Sequence, residues 1–175
     1  MNMSIRRRML ESAVSFASEP LYIYQSGDKS FKNCTHRAEK YKNLIGTEEN
    51  AINIYFEDKY FGFTPSSHQN ADDLSVYYLY LDVTRYKKIV VKALRITSGD
   101  IDKSVEPRVG VFDSDGLKCS VFTDGNSLEV TKHDIFGVSE PEELAFDVKE
   151  MKGTKILAFS EENYRGGAYF EIRME

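Results

Sequence analysis

The sequence predicts an all-β protein, a β-sandwich preceded by a short N-terminal α-helix. Three observations predict it. The 175 residues include 11 Tyr and 11 Phe but no Trp, and such rings suit a pleated, half-buried surface. Beyond Pro20, apolar residues recur in short alternating runs rather than at helical spacing. Turn signals separate those runs: Ser26-Gly27-Asp28, Ser98-Gly99-Asp100, Asp113 to Gly116, Asp124-Gly125-Asn126 and Arg165-Gly166-Gly167.

Residues 1–19 read as the helical segment. Ile5, Met9, Ala13 and Phe16 recur on one helical face, and Pro20 ends it. Arg6, Arg7 and Arg8 precede Met9 and Leu10 as they would in a signal peptide. Glu11 and Ser12 then break the apolar run, so the expectation is a cytoplasmic protein. The three arginines read as a solvated helix face, with contact to an acidic partner or nucleic acid as the sharper alternative. No stretch reaches the roughly 18 apolar residues of a membrane span. A net charge of -5 argues against a broad nucleic-acid footprint.

The remainder divides into an N-terminal β half, 20–100, and a C-terminal β half, 101–175. Strands are expected at Leu21–Tyr24, Ala51–Phe56, Ser75–Val83, Ile89–Val91 and Ala93–Ile96 in the first. The second should contribute Arg108–Phe112, Cys119–Phe122, Ala145–Val148, Lys155–Phe159 and Ala168–Ile172. One arrangement occurs twice: Tyr55, Tyr60 and Gly62 match the spacing of Phe159, Tyr164 and Gly166, with acidic residues in both gaps. A hairpin folded on itself needs a position free of Cβ, and an aromatic ring can then cover that glycine.

These residues resemble the β/γ-crystallin Greek-key motif. The best match is residues 108–175, where 152–172 looks like the first two strands of a key. A weaker match covers 20–62, with Leu21–Tyr24 and Phe31–His36 as its first strands. The resemblance implies Greek-key sandwiches and roles as structural or stress proteins, calcium binders or protease inhibitors. The last key stops at Glu175 without room for its third and fourth strands, which a second copy of the chain could supply. The family's calcium motif looks decayed at Thr47 to Ala51, Asn70 to Ser75 and Glu140 to Ala145, so no metal or cofactor is expected.

Catalytic signatures are missing. The sequence has no G-x-S-x-G, Walker loop or H-E-x-x-H. Cys34 and His36 share a strand face, a poor way to place an imidazole beside a thiol. Cys34 and Cys119 are too few for a disulfide scaffold. Binding is easier to support. Tyr77, Tyr78 and Tyr80 put rings on both faces of one strand, which is either covered on both sides or meets a partner. Arg85 and Tyr86 open a small basic-aromatic patch. The expectation is a non-enzymatic protein that inhibits or modulates another macromolecule through Tyr77, Tyr78, Tyr80, Arg85, Tyr86 and Arg6 to Arg8. Its partner would be a protein. The alternative is a structural or stress-type crystallin-like protein, weakly calcium-binding at most.

Overall fold

A computed structural model describes residues 16–41, 47–49, 52–65, 74–97, 108–113, 127–129, 140–162 and 165–175. Twelve strands run in order: β1 Leu21–Gln25, β2 Thr35–Tyr41, β3 Thr47–Glu49, β4 Ile52–Phe56, β5 Phe61–Pro65 and β6 Leu74–Asp82. They continue with β7 Lys88–Thr97, β8 Arg108–Phe112, β9 Ser127–Glu129, β10 Glu142–Asp147, β11 Thr154–Glu162 and β12 Arg165–Met174. The runs of alternating aromatic and aliphatic residues account for β1, β4, β6, β11 and β12. Ile89–Val91 and Ala93–Ile96 merge into the single strand β7.

The strands form two antiparallel sheets. One has the order β10-β7-β12-β5-β4, with β1 also beside β12; the other runs β3-β2-β6-β11-β8-β9. Each sheet takes strands from both 20–100 and 101–175. Their inner faces meet in one apolar core. Tyr77, Leu79, Leu81, Val109, Val111, Leu157 and Phe159 enter it from the second sheet. Phe61, Ile89, Val91, Ala93, Leu144, Phe146, Tyr169, Ile172 and Met174 enter it from the first. Burying each such large side chain contributes about 1.5–3 kcal/mol.

Strand β12 holds the first sheet together. β7 runs along one of its edges, while the other edge is shared by β5 at Tyr169 and β1 from Glu171 to Met174. A β-bulge between Tyr169 and Glu171 makes this sharing workable. Before the bulge Tyr169 faces the core; after it Ile172 and Met174 do. On the outer surface Arg173 then bonds Glu143 of β10 at 3.1 Å, Glu175 at 2.7 Å, and Glu171.

Several expectations change here. Phe16 and Ala17, the end of the expected helix, have irregular backbone; the rest of that segment, with Arg6 to Arg8, lies outside the described residues. The helix is therefore not supported. Cys119–Phe122 also lies outside them. The folded hairpin expected over 152–172 does not form: β11 pairs with β6 and β8, whereas β12 belongs to the opposite sheet. Completion of a last key by a second copy is corrected as well, because both edges of β12 are already taken by strands of the same chain.

The first aromatic-glycine motif does form a hairpin. Glu57 N donates to Tyr60 O at 2.8 Å, and Tyr55 stands opposite Gly62 with its ring over the glycine. The second motif does not repeat this. Phe159 is fully buried in the core, Tyr164 lies outside the described residues, and Gly166 pairs with Ile96. The covered glycine in that region is Gly167, beneath the ring of Tyr169.

Tyr24 is fully buried among Phe31, Phe56 and Phe61. Its hydroxyl has no hydrogen-bond partner among the described residues. Burial first, then the Asp28 charge, push the phenol up to about 12; the Gly27 amide offsets this in part without meeting hydrogen-bond geometry. An unpaired buried hydroxyl costs free energy, so Tyr24→Phe should be neutral or stabilising by about 1 kcal/mol. Urea unfolding checks this; a loss of stability would show that the hydroxyl is held in the folded protein.

Candidate functional site

The structure separates the residues expected at a binding surface. Tyr77 and Tyr78 are 3% and 1% exposed, so β6 is covered on both faces and these two rings offer no docking area. Tyr77 packs in the main core and shares a 2.6 Å hydrogen bond with His36 Nδ1. Tyr78 lies on the other face with Val76, Phe112, Ile156 and Ala158, and the half-buried Tyr80 packs against them. Arg37 sits 5.3 Å from the centre of the Tyr78 ring. Burial pushes the half-buried Cys34 thiol up to about 11, which makes it a poor nucleophile.

Arg85 and Tyr86 are placed differently. They lie on the segment Val83–Lys87, which carries the chain from β6 in one sheet to β7 in the other. With Leu21, Asn33, Asp82 and Met174 they line a cavity of about 230 Å³. Its apolar base is Leu21 and Met174, which stand opposite each other in the β1–β12 ladder. Tyr86 packs one side against the core. Asp82, Arg85 and Asn33 are exposed. Asn33 has a left-handed φ of 56°, which Asn tolerates better than most residues.

The crossover is closely tied. Thr84 N and Thr84 Oγ1 donate to Asp82 Oδ1 at 3.0 and 2.6 Å, and Gly153 N donates to Thr84 Oγ1 at 2.9 Å. Val83 N donates to Gly153 O at 3.1 Å, and Tyr86 N to Val83 O at 3.0 Å. Across the cavity, Lys32 N donates to Ile23 O at 2.8 Å beside Asn33. All these bonds use Oδ1 of Asp82 or backbone atoms. Asp82 Oδ2, the Arg85 guanidinium and the Asn33 amide have no hydrogen bond or ion pair among the described residues. The residues that border the cavity thus carry an acceptor, a charged donor and a group that does both, beside an aromatic residue and an apolar base.

The Thr84 side-chain and backbone bonds hold the Asp82 carboxyl below the ordinary aspartate range. A carboxyl with a lowered folded pKa contributes stability that is present above its unfolded pKa and lost as pH falls through the folded one. Thr84→Val removes the side-chain bond. The variant also loses the bond from Gly153 N, so it should melt lower than the parent throughout, with the gap narrowing as pH falls through the acid range below about 4. Melting curves between pH 7 and pH 3 check this; a gap of constant size would overturn it.

No family model matches this chain, and no curated protein matches it. Solved structures do. The chain shares its fold with a family 29 carbohydrate-binding module from Piromyces equi. That likeness has a TM-score of 0.52 at 12% identity and covers 89% of each chain. An arginine-to-alanine variant of the module CBM29-2 matches with a TM-score of 0.50 at 7% identity, over 90% of this chain and 92% of that one. An aspartate-to-alanine variant matches at 0.50 and 8%, over 89% and 84%. At such identities the likeness is one of fold. The neighbours are antiparallel sandwiches described as binding modules rather than crystallins, so the crystallin assignment gives way to the coarser all-β sandwich. They also overturn the expectation of a protein partner, because modules sharing this fold are described as binding carbohydrate.

Sequence reasoning found Arg85 and Tyr86 from their basic-aromatic character. It missed Asp82, three residues before Arg85, and Asn33, Leu21 and Met174, which come from separate parts of the chain. The Asp82-x-Thr84 pair was the available signal, since this spacing suits a carboxylate that caps its own turn.

Proposed function

We propose that this protein is a non-enzymatic carbohydrate-binding module, and that the cavity at the β6–β7 crossover is its binding site. The observation that carries the reading is the set of uncommitted polar groups, Asp82 Oδ2, Arg85 and Asn33, around the Tyr86 ring and the apolar base. A pyranose has an apolar C–H face and a rim of hydroxyls. Its face can lie on an aromatic ring while its hydroxyls donate to a carboxylate and accept from a guanidinium. The fold shared with carbohydrate-binding modules supports the same reading. So does the use of arginine and aspartate variants to probe ligand recognition in CBM29-2. A cytoplasmic setting stays a proposal from the sequence.

Titration calorimetry with neutral oligosaccharides tests this. The parent protein should bind at least one of them. Arg85→Ala should weaken that binding about 10- to 100-fold, the effect of losing hydrogen bonds to a charged group. Because Arg85 is exposed, the melting temperature should hardly move. A parent that binds no saccharide, or an Arg85→Ala protein that binds as the parent does, would overturn the reading.

A further inference from the structure

The dimensions and charge of the cavity say more about its ligand than carbohydrate in general. Resting on the reading above, we infer that the cavity takes a single neutral sugar residue at the end of a glycan, rather than a stretch of chain running through it.

Size is the first argument. At about 230 Å³ the cavity is smaller than the roughly 300 to 1,000 Å³ usual for pockets that hold drug-sized ligands. Such a space is on the scale of one pyranose ring. The base is closed by Leu21 and Met174, whose strands are paired there, so a second ring has no exit on that side. Neither wall is free to widen. The Asp82–Tyr86 wall is bonded to Gly153 through both Val83 N and Thr84 Oγ1, and the Asn33 wall is anchored by Lys32 N to Ile23 O. Enlarging the cavity would break backbone bonds in two separate loops.

Charge is the second argument. Asp82 supplies one negative charge and Arg85 one positive charge, and the other four lining residues are neutral. A uronic or sialic acid could pair its carboxylate with Arg85 only in a space that also holds Asp82, and an amino sugar could pair its ammonium with Asp82 only in a space that also holds Arg85. A neutral diol avoids both. One hydroxyl donates to Asp82 Oδ2 while its neighbour accepts from the guanidinium, and the Asn33 amide can serve a third.

The experiment titrates the full chain with glucose, mannose, galactose, N-acetylglucosamine and their methyl glycosides. It then uses linear gluco- and manno-oligosaccharides of two to six residues, and glucuronate as the acidic arm. The expected result is one site per chain, with a methyl glycoside binding within about threefold of the matching hexasaccharide and competing with it. Glucuronate should bind at least tenfold more weakly. Asn33→Gly preserves the left-handed backbone while deleting the amide, and should weaken the monosaccharide about tenfold. An affinity that climbs more than about tenfold from one residue to six, with monosaccharides silent, would overturn the chain-end inference and leave carbohydrate binding standing. Preference for glucuronate would overturn the neutral ligand, and unchanged binding by Asn33→Gly would move the site elsewhere. Silence from every sugar would overturn both readings.

Discussion

Phe61→Ala is expected to cost about 3–5 kcal/mol of folding stability, the range for truncating a buried aromatic side chain. Phe61 is fully buried and joins the two ends of the aromatic core. Its ring centre lies 4.8 Å from that of Tyr24, 4.9 Å from Phe31, 5.0 Å from Tyr169 and 5.9 Å from Phe159. Most of these pairs meet edge to face, and Tyr169 stacks at 27°. Removing the ring forfeits its transfer free energy, leaves a cavity the other rings cannot close, and breaks pair contacts worth about 0.5–1.5 kcal/mol each. Phe61→Leu should cost markedly less because it retains most of the volume. Denaturant midpoints of both variants check the prediction; a loss below about 1.5 kcal/mol for Phe61→Ala would show that the core can collapse around the gap.

Gly167→Ala should cost about 1–3 kcal/mol, an overpacking penalty in a site that cannot relax. A Cβ at Gly167 would lie 2.5 Å from Cζ of Tyr169. Tyr169 has no room to retreat, being fully buried, stacked on Phe61 and 4.8 Å from the Phe159 ring. Gly62 supplies the comparison. Its Cβ would meet the far end of the Tyr55 ring, but Tyr55 is only half-buried and can swing outward. Gly62→Ala should therefore cost much less than Gly167→Ala. Equal costs, measured by thermal and denaturant unfolding, would contradict the argument.

The contrast between these glycines shows what was legible in the sequence. Strands were legible because alternating rings and aliphatics mark a pleat, as in Ser75–Val83, which became β6. A glycine under a ring was legible too, but its identity was not. Reading along the chain expects the ring two residues before a glycine to cover it, Tyr164 over Gly166, whereas the ring that covers a glycine here follows it by two on the same face of the pleat, Tyr169 over Gly167. Sheet membership was hidden for a related reason. β11 and β12 adjoin in sequence and look like a hairpin, yet their apolar faces meet across the core from opposite sheets. Tyr77 and Tyr78 looked like a surface because alternation cannot distinguish a strand covered twice from one awaiting a partner.

The candidate site was legible only at Arg85 and Tyr86. The acid that complements Arg85 is close in sequence, but Asn33 and the Leu21–Met174 base arrive from both ends of the described chain. No local pattern encodes their meeting. It depends on β1 choosing the last part of β12 as its partner, which follows from the fold as a whole.

The bulge at Phe170 has a consequence for how this chain can change over generations. Tyr169 and Ile172 both face the core although three positions apart, which only the bulge allows. Losing Phe170 would straighten the strand and leave Ile172 and Met174 facing inward. Losing Arg173 has no bulge to absorb it, and would turn Met174, and with it the base of the cavity, outward. Changes of length should therefore be tolerated at Phe170 and at tips such as Glu57–Lys59, and purged between Ile172 and Met174. A lineage could reshape its hairpins freely while the spacing between Ile172 and Met174 stays fixed.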